Sequence, residues 1–175
     1  EIQLHFCKNP TKQGVDEKYQ IMKLDEHISS VGLYARKPPQ IIYIHNGETH
    51  PKKIKNNKVV KSVDVLVSDS DDLNLDSIHK NSNLIFLGYT KTVIASGGHQ
   101  DNQFAGVESF INEAHAFIQK NMTENIYFFG QLDGDESIKN IPQIHKSRKD
   151  NDKIFVGTTM SLIEWILEIY EKKKV

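Results

Sequence analysis

Asp64 stands in the run Val63-Asp64-Val65-Leu66-Val67, an acid among apolar, mostly β-branched residues. A carboxylate there is costly unless it is paired, bound to a metal, or set on a face that opens to a cleft. Lys91 follows in Gly88-Tyr89-Thr90-Lys91-Thr92, at the polar end of the next apolar run. On spacing alone the two read most simply as a cross-strand ion pair. A third feature adds to them, the dense polar run Ser96-Gly97-Gly98-His99-Gln100-Asp101-Asn102-Gln103-Phe104 entering a helix. A helix start needs one cap, which Asp101 can supply. His99, Gln100, Asn102 and Gln103 are then left to line a site, and a helix N-terminus favours phosphate oxygens.

Other chemistries find no motif. There is no glycine-rich phosphate loop ending in Lys-Ser/Thr, no Gly-x-Gly-x-x-Gly after a strand, no Gly-x-Ser-x-Gly elbow and no His-Glu-x-x-His. The single cysteine, Cys7, excludes a disulfide framework and a multi-cysteine zinc site, and reads as a small buried hydrophobe.

The elements that must position these residues follow from periodicity. Val15, Tyr19 and Met22 mark a helical face over about 12–28. Lys37-Pro38-Pro39 breaks it, and Gln40 to His45 reads as a strand ending at the hairpin signal Asn46-Gly47. The returning limb is expected at Lys58–Val67, with the lysine-rich stretch at the hairpin tip. Ser68 to Asn83 reads as a loop with one helical turn near Leu73–Ile78, and Leu84 to Ile94 as a strand. Asp101 to Gln119 is a helix, carrying Phe104, Val107, Phe110, Ile111, Ala114, Phe117 and Ile118 at spacings of three and four. Glu124 to Gly130 is a short buried strand, and an irregular stretch follows it. Ile154–Val156 is another strand, and Thr158 or Thr159 caps a final helix over 162–172. These elements predict one α/β domain over 1–175, with a mixed central β-sheet flanked by helices and a C-terminal strand and helix at 154–173. Trp165 on the last helix reads as core packing or as an interface.

The 175 residues suit one domain. No apolar run approaches the ~20 residues of a membrane span, and Glu1-Ile2-Gln3-Leu4-His5 lacks the order of a signal peptide. A soluble, cytoplasmic protein is expected. The chain begins at Glu1 rather than Met, which leaves room for residues upstream. The formal net charge of −1, from 22 Lys+Arg against 23 Asp+Glu, weighs at first against nucleic acid. Its distribution weighs the other way. Lys52, Lys53, Lys55, Lys58 and Lys61 fall together without an acid, and Asp64, Asp69, Asp71, Asp72 and Asp76 without a base. Lys146, Arg148 and Lys149 form a second basic cluster. Balanced totals can hide a basic surface beside an acidic pocket.

In the order α-β-β-β-α-β over about 12–130, with Asp64 on the second strand of the meander, Lys91 on the third, and Gln100 with Phe104 on the following helix, the chain resembles the PD-(D/E)xK nuclease superfamily, and within it type II restriction endonucleases. The resemblance implies Mg²⁺-dependent hydrolysis of double-stranded DNA by a homodimer. Asp64 would be the central metal ligand, and Lys91 would orient or activate the attacking water. Gln100 or Gln103 would position Lys91 or a phosphate. Two departures matter: Val63 replaces the proline, and Tyr89 stands where the second carboxylate belongs. Some restriction enzymes move that acid to the following helix, where Asp101 and Glu108 are the candidates. Glu17 on the first helix is a third, though a charge there reads first as an exposed helix residue. DNA contacts are expected from Lys52, Lys53, Lys55, Lys58, His99, Asn102, Lys146, Arg148 and Lys149. Two other readings stand beside this one: a non-catalytic α/β module that binds DNA or protein, and a phosphoryl hydrolase using Asp69 or Asp71 for metal.

Overall fold

A computed structural model describes residues 10–55, 60–93, 98–121, 124–147 and 151–174, with backbone alone at 10–15, 98–103, 136 and 143–147. The elements in chain order are α1 (Pro10–Ile28), β1 (Tyr34–Arg36), β2 (Tyr43–His45), β3 (Glu48–His50), β4 (Val65–Ser68), α2 (Leu75–Asn81), β5 (Ile85–Thr92), α3 (Gly98–Lys120), β6 (Ile126–Asp133), α4 (Asp135–Ser147), β7 (Ile154–Gly157) and α5 (Thr159–Lys173). Five strands form one mixed sheet in the order β1-β4-β5-β6-β7. β1, β4 and β5 are antiparallel in turn, while β5, β6 and β7 are parallel. The fold is α/β with helices on both faces, and α1, β1, β4, β5, α3 and β6 run α-β-β-β-α-β around the inserted β2–β3 hairpin and α2.

Strand periodicity sorts the core. Leu66, Leu87 and Phe128 meet Val107, Phe110 and Ile111 of α3 on one face. Val65, Val67, Phe86 and Phe129 meet Leu24 and Ile28 of α1 and Leu162 and Ile166 of α5 on the other. Trp165 belongs to that second layer, stacked on Phe155 at 5.2 Å and edge-on to Phe86 at 5.6 Å. Thr158 caps α5, its side chain accepting from Ser161 N.

Four sequence expectations change. First, the Asn46-Gly47 turn is present, with φ of 51° and 77°, but it returns at once through β3 rather than through 58–67. Two residues at positive φ make a tight turn whose strands must pair immediately. β4 instead crosses to β1, and Val63 N→Ile42 O (2.8 Å) and the bridge Tyr43–Ser62 are what the described residues show of the expected pairing. Second, β1, three residues between Gly32 and Pro38, was not expected; Asp25 Oδ1 holds it by accepting from Ala35 N at 2.9 Å. Third, α4 replaces the irregular stretch despite Pro142 inside it. Fourth, α3 begins at Gly98, so Asp101 lies in its first turn and is not its cap; glycine opposes helix only through entropy and does not forbid it.

Gly88 is required by close approach. A Cβ there would lie 2.1 Å from the Phe129 ring on the paired strand. Gly88→Ala is expected to cost about 2 kcal/mol through overpacking, a fall in Tm of roughly 6 °C for a chain of this size. Calorimetry showing an unchanged Tm would contradict this packing.

Candidate functional site

The sheet brings Asp64 and Lys91 together. Asp64 lies one residue before β4 and extends its ladder, donating its backbone N–H to Gly88 O at 2.8 Å. Continuing the Val65–Gly88 register by one residue sets Asp64 opposite Tyr89. Thr90 N donates to Asp64 Oδ2 at 3.1 Å. Lys91, two residues along β5, stands with its Nζ 4.8 Å from the centre of the Tyr89 ring, a cation–π contact. Glu17 reaches in from α1 and pairs with Lys91, Oε1 to Nζ at 3.1 Å, with side chains only 29% and 16% exposed. Glu17 is therefore not the exposed helix charge its position in the sequence suggests.

The electrostatics follow from burial. Desolvation pushes the Asp64 carboxyl up to about 6; Lys91 opposes this, the like charge of Glu17 adds to it, and the Thr90 N–H and Lys37 oppose it. Burial pushes the Lys91 ammonium down, but Tyr89, Asp64 and Glu17 facing it outweigh burial and leave it above its ordinary value. Burial likewise raises the Tyr89 phenol. A Cβ on Gly106 of α3 would lie 2.8 Å from the Tyr89 hydroxyl, so glycine there lets the helix pass over this residue. Glu17 and Asp64 also line a cleft of about 620 Å³ between α1 and the chain around 35–41, with Lys18 and Lys37 among its walls.

The remaining predicted residues are placed less centrally. Glu108 is exposed on α3, and Glu17 is the carboxylate joined to Lys91. The side chains of His99, Gln100, Asp101, Asn102, Gln103 and Lys146 lie outside the described residues, as do Cys7, Lys58, Arg148 and Lys149. Lys52, Lys53 and Lys55 are exposed after β3. The acidic run beyond Asp64 serves its own loop: Asp69 accepts from the backbone N–H of Asn83 and Leu84, and Asp72 accepts from Ser70 and Asn81. Among the described residues no group of three or more His, Cys, Asp or Glu is placed to hold a metal. Also among them, no helix is long and apolar enough to cross a membrane. No family model, curated protein or solved structure matches the chain.

The titration of Asp64 has a direct consequence. Its folded carboxyl, near 6 against an ordinary 3.8, binds its proton more tightly than the unfolded chain does. That contribution to stability is full below the ordinary value and is lost as pH rises through 6. Asp64→Asn is therefore expected to be more stable than the parent at pH 8, by on the order of 2 kcal/mol, with the difference gone near pH 4. Urea melts at the two pH values read it; a variant destabilised at pH 8 would mean that Lys91 outweighs burial.

Proposed function

We propose that the protein is a Mg²⁺-dependent endonuclease cutting double-stranded DNA in the cytoplasm, a restriction enzyme on a PD-(D/E)xK-like core, with Glu17 serving where Tyr89 displaces the strand carboxylate. The observation that carries this reading is the convergence of Asp64, Lys91 and Glu17, the two carboxylates lining one cleft, from the second and third strands and the first helix of an α-β-β-β-α-β order.

The donor set suits a hard cation. Mg²⁺ is commonly held by one or two carboxylates, with waters and substrate phosphate completing its shell. Asp64 and Glu17 are such a pair, and the raised Asp64 carboxyl is a group whose charged form Lys91, Thr90 and Lys37 compensate only in part. Bound there, Mg²⁺ supplies Lewis-acid charge stabilisation and a water of lowered pKa. The protein's own residues do the rest. Thr90 N–H fixes Asp64 Oδ2, leaving the other oxygen to face a ligand. Lys91 stays protonated, so its ammonium orients the attacking water by donating to it and offsets charge developing on the phosphate oxygens. Lys18 and Lys37 along the cleft, with the exposed Lys52, Lys53 and Lys55 after β3, supply cations for the phosphate backbone. A palindromic target would be read by a symmetric homodimer.

Tyr89 favours a second reading, a non-catalytic α/β module that binds DNA or protein, in which Glu17–Lys91–Asp64 is a structural ion cluster. Plasmid cleavage separates the two. With Mg²⁺ and not with EDTA, the parent is expected to give discrete fragments, and Asp64→Asn, Lys91→Ala and Glu17→Gln are each expected to cut at least ~100-fold more slowly. Circular dichroism checks that each variant is folded. Intact plasmid with the parent, or full cutting by the Lys91→Ala protein, sinks the endonuclease.

A further inference from the structure

One amide grips both the backbone of Lys91 and the end of the neighbouring strand. Gln20 Nε2 donates to Lys91 O at 3.2 Å and to Asp133 Oδ2 at 2.8 Å. Asp133 in turn accepts from Thr159 N at 3.0 Å and from the Thr159 hydroxyl. Gln131 Nε2 donates to Thr159 Oγ1 at 2.8 Å. The network thus joins α1, β5, β6 and the first residue of α5. Gln20 is 1% exposed and lies three residues after Glu17, on the same side of α1.

The apolar contacts of Leu24 and Ile28 drive α1 onto the sheet, but burial is non-directional and does not set where the helix stops along its axis. Two hydrogen bonds from one amide to two fixed points do set it. The amide is also a costly choice: Gln20 Oε1 is buried with no hydrogen-bond partner among the described residues. An apolar side chain of similar size would avoid that cost. We propose that Gln20, anchored by Asp133, is a positioning residue: it holds α1 in the one register that brings the Glu17 carboxylate onto Lys91. This inference deepens the nuclease reading of the same site, although the geometry it explains does not depend on turnover.

The test is amine labelling of the full chain by reductive methylation, read site by site by mass spectrometry. In the parent, Lys91 is expected to react slowly. In Gln20→Met, of similar size and without a donor, it is expected to react about tenfold faster, because a lysine released from its carboxylate partner by a displaced helix opens to the reagent. Lys153, distant in the fold and packed over Tyr127, is the internal standard and should not change. Lys91 staying protected, or Lys91 and Lys153 accelerating together as in general loosening, overturns the proposal. Asp133→Asn asks the same question should Gln20→Met fail to fold. Cleavage assays add the second arm: a lowered kcat at unchanged KM is expected of Gln20→Met. A parent that cuts no DNA, with Lys91 released in the variant, sinks the nuclease and keeps the positioning role. Normal kcat with Lys91 protected in Gln20→Met sinks the positioning role alone.

Discussion

The structure turns on the cost of a carboxylate placed where strands pack. Asp64 continues the central β4–β5 ladder, and burial alone would force it to give up its charge. Lys91 is what the fold offers in return, and the lysine, largely enclosed itself, needs more than one anion. Glu17 completes the set. With the phenol of Tyr89 neutral, the three ionised groups sum to one negative charge. That is a field which draws a cation without expelling the lysine.

Everything around the trio serves to hold it. The parallel pairing of β5 with β6 runs Lys91 beside Leu132 and Thr92 beside Asp133. The strand that carries the lysine and the strand that carries the anchor are therefore held in one register by their own ladder. The helices then close two different faces: α3 packs over Tyr89 through Gly106, and α1 packs over Phe86 and Val65. The hairpin is pinned separately to α3. Glu113 accepts from Asn46 N and contacts His45, and Asn121 donates to Gly47 O at 2.8 Å. The exposed lysines that follow the hairpin thus hang from α3.

Much of this was legible in the residues themselves, and the gaps have physical causes. Asp64 and Lys91 stood out because a charge in an apolar strand violates the local pattern. The strands that make up the sheet's parallel half, though not their pairing, and helices α1, α3 and α5 were legible as elements. Glu17 was a candidate only through the family resemblance, because a charge on an amphipathic helix fits the pattern, and the sequence does not state how the helix is rolled against the sheet. Gln20 and Asp133 were silent for the same reason: each is unremarkable until two distant segments meet. The strand assigned to Lys58–Val67 was mispaired because Glu48-Thr49-His50 carries no apolar signal, though the positive-φ turn left no other place for the return. α4 was lost to Pro142, and β1 to its three-residue length.

The origin of Glu17 on a helix rather than a strand makes the complete site depend on how that helix is docked. Asp64 and Lys91 meet as soon as β4 and β5 pair, close in the chain. Glu17 arrives only when α1, 74 residues from Lys91, has docked. A transient lifting of α1 would erase the third charge and free the β1 edge from Asp25. The ordered site is thus a report on the packing of one helix, sensitive to openings far smaller than global unfolding.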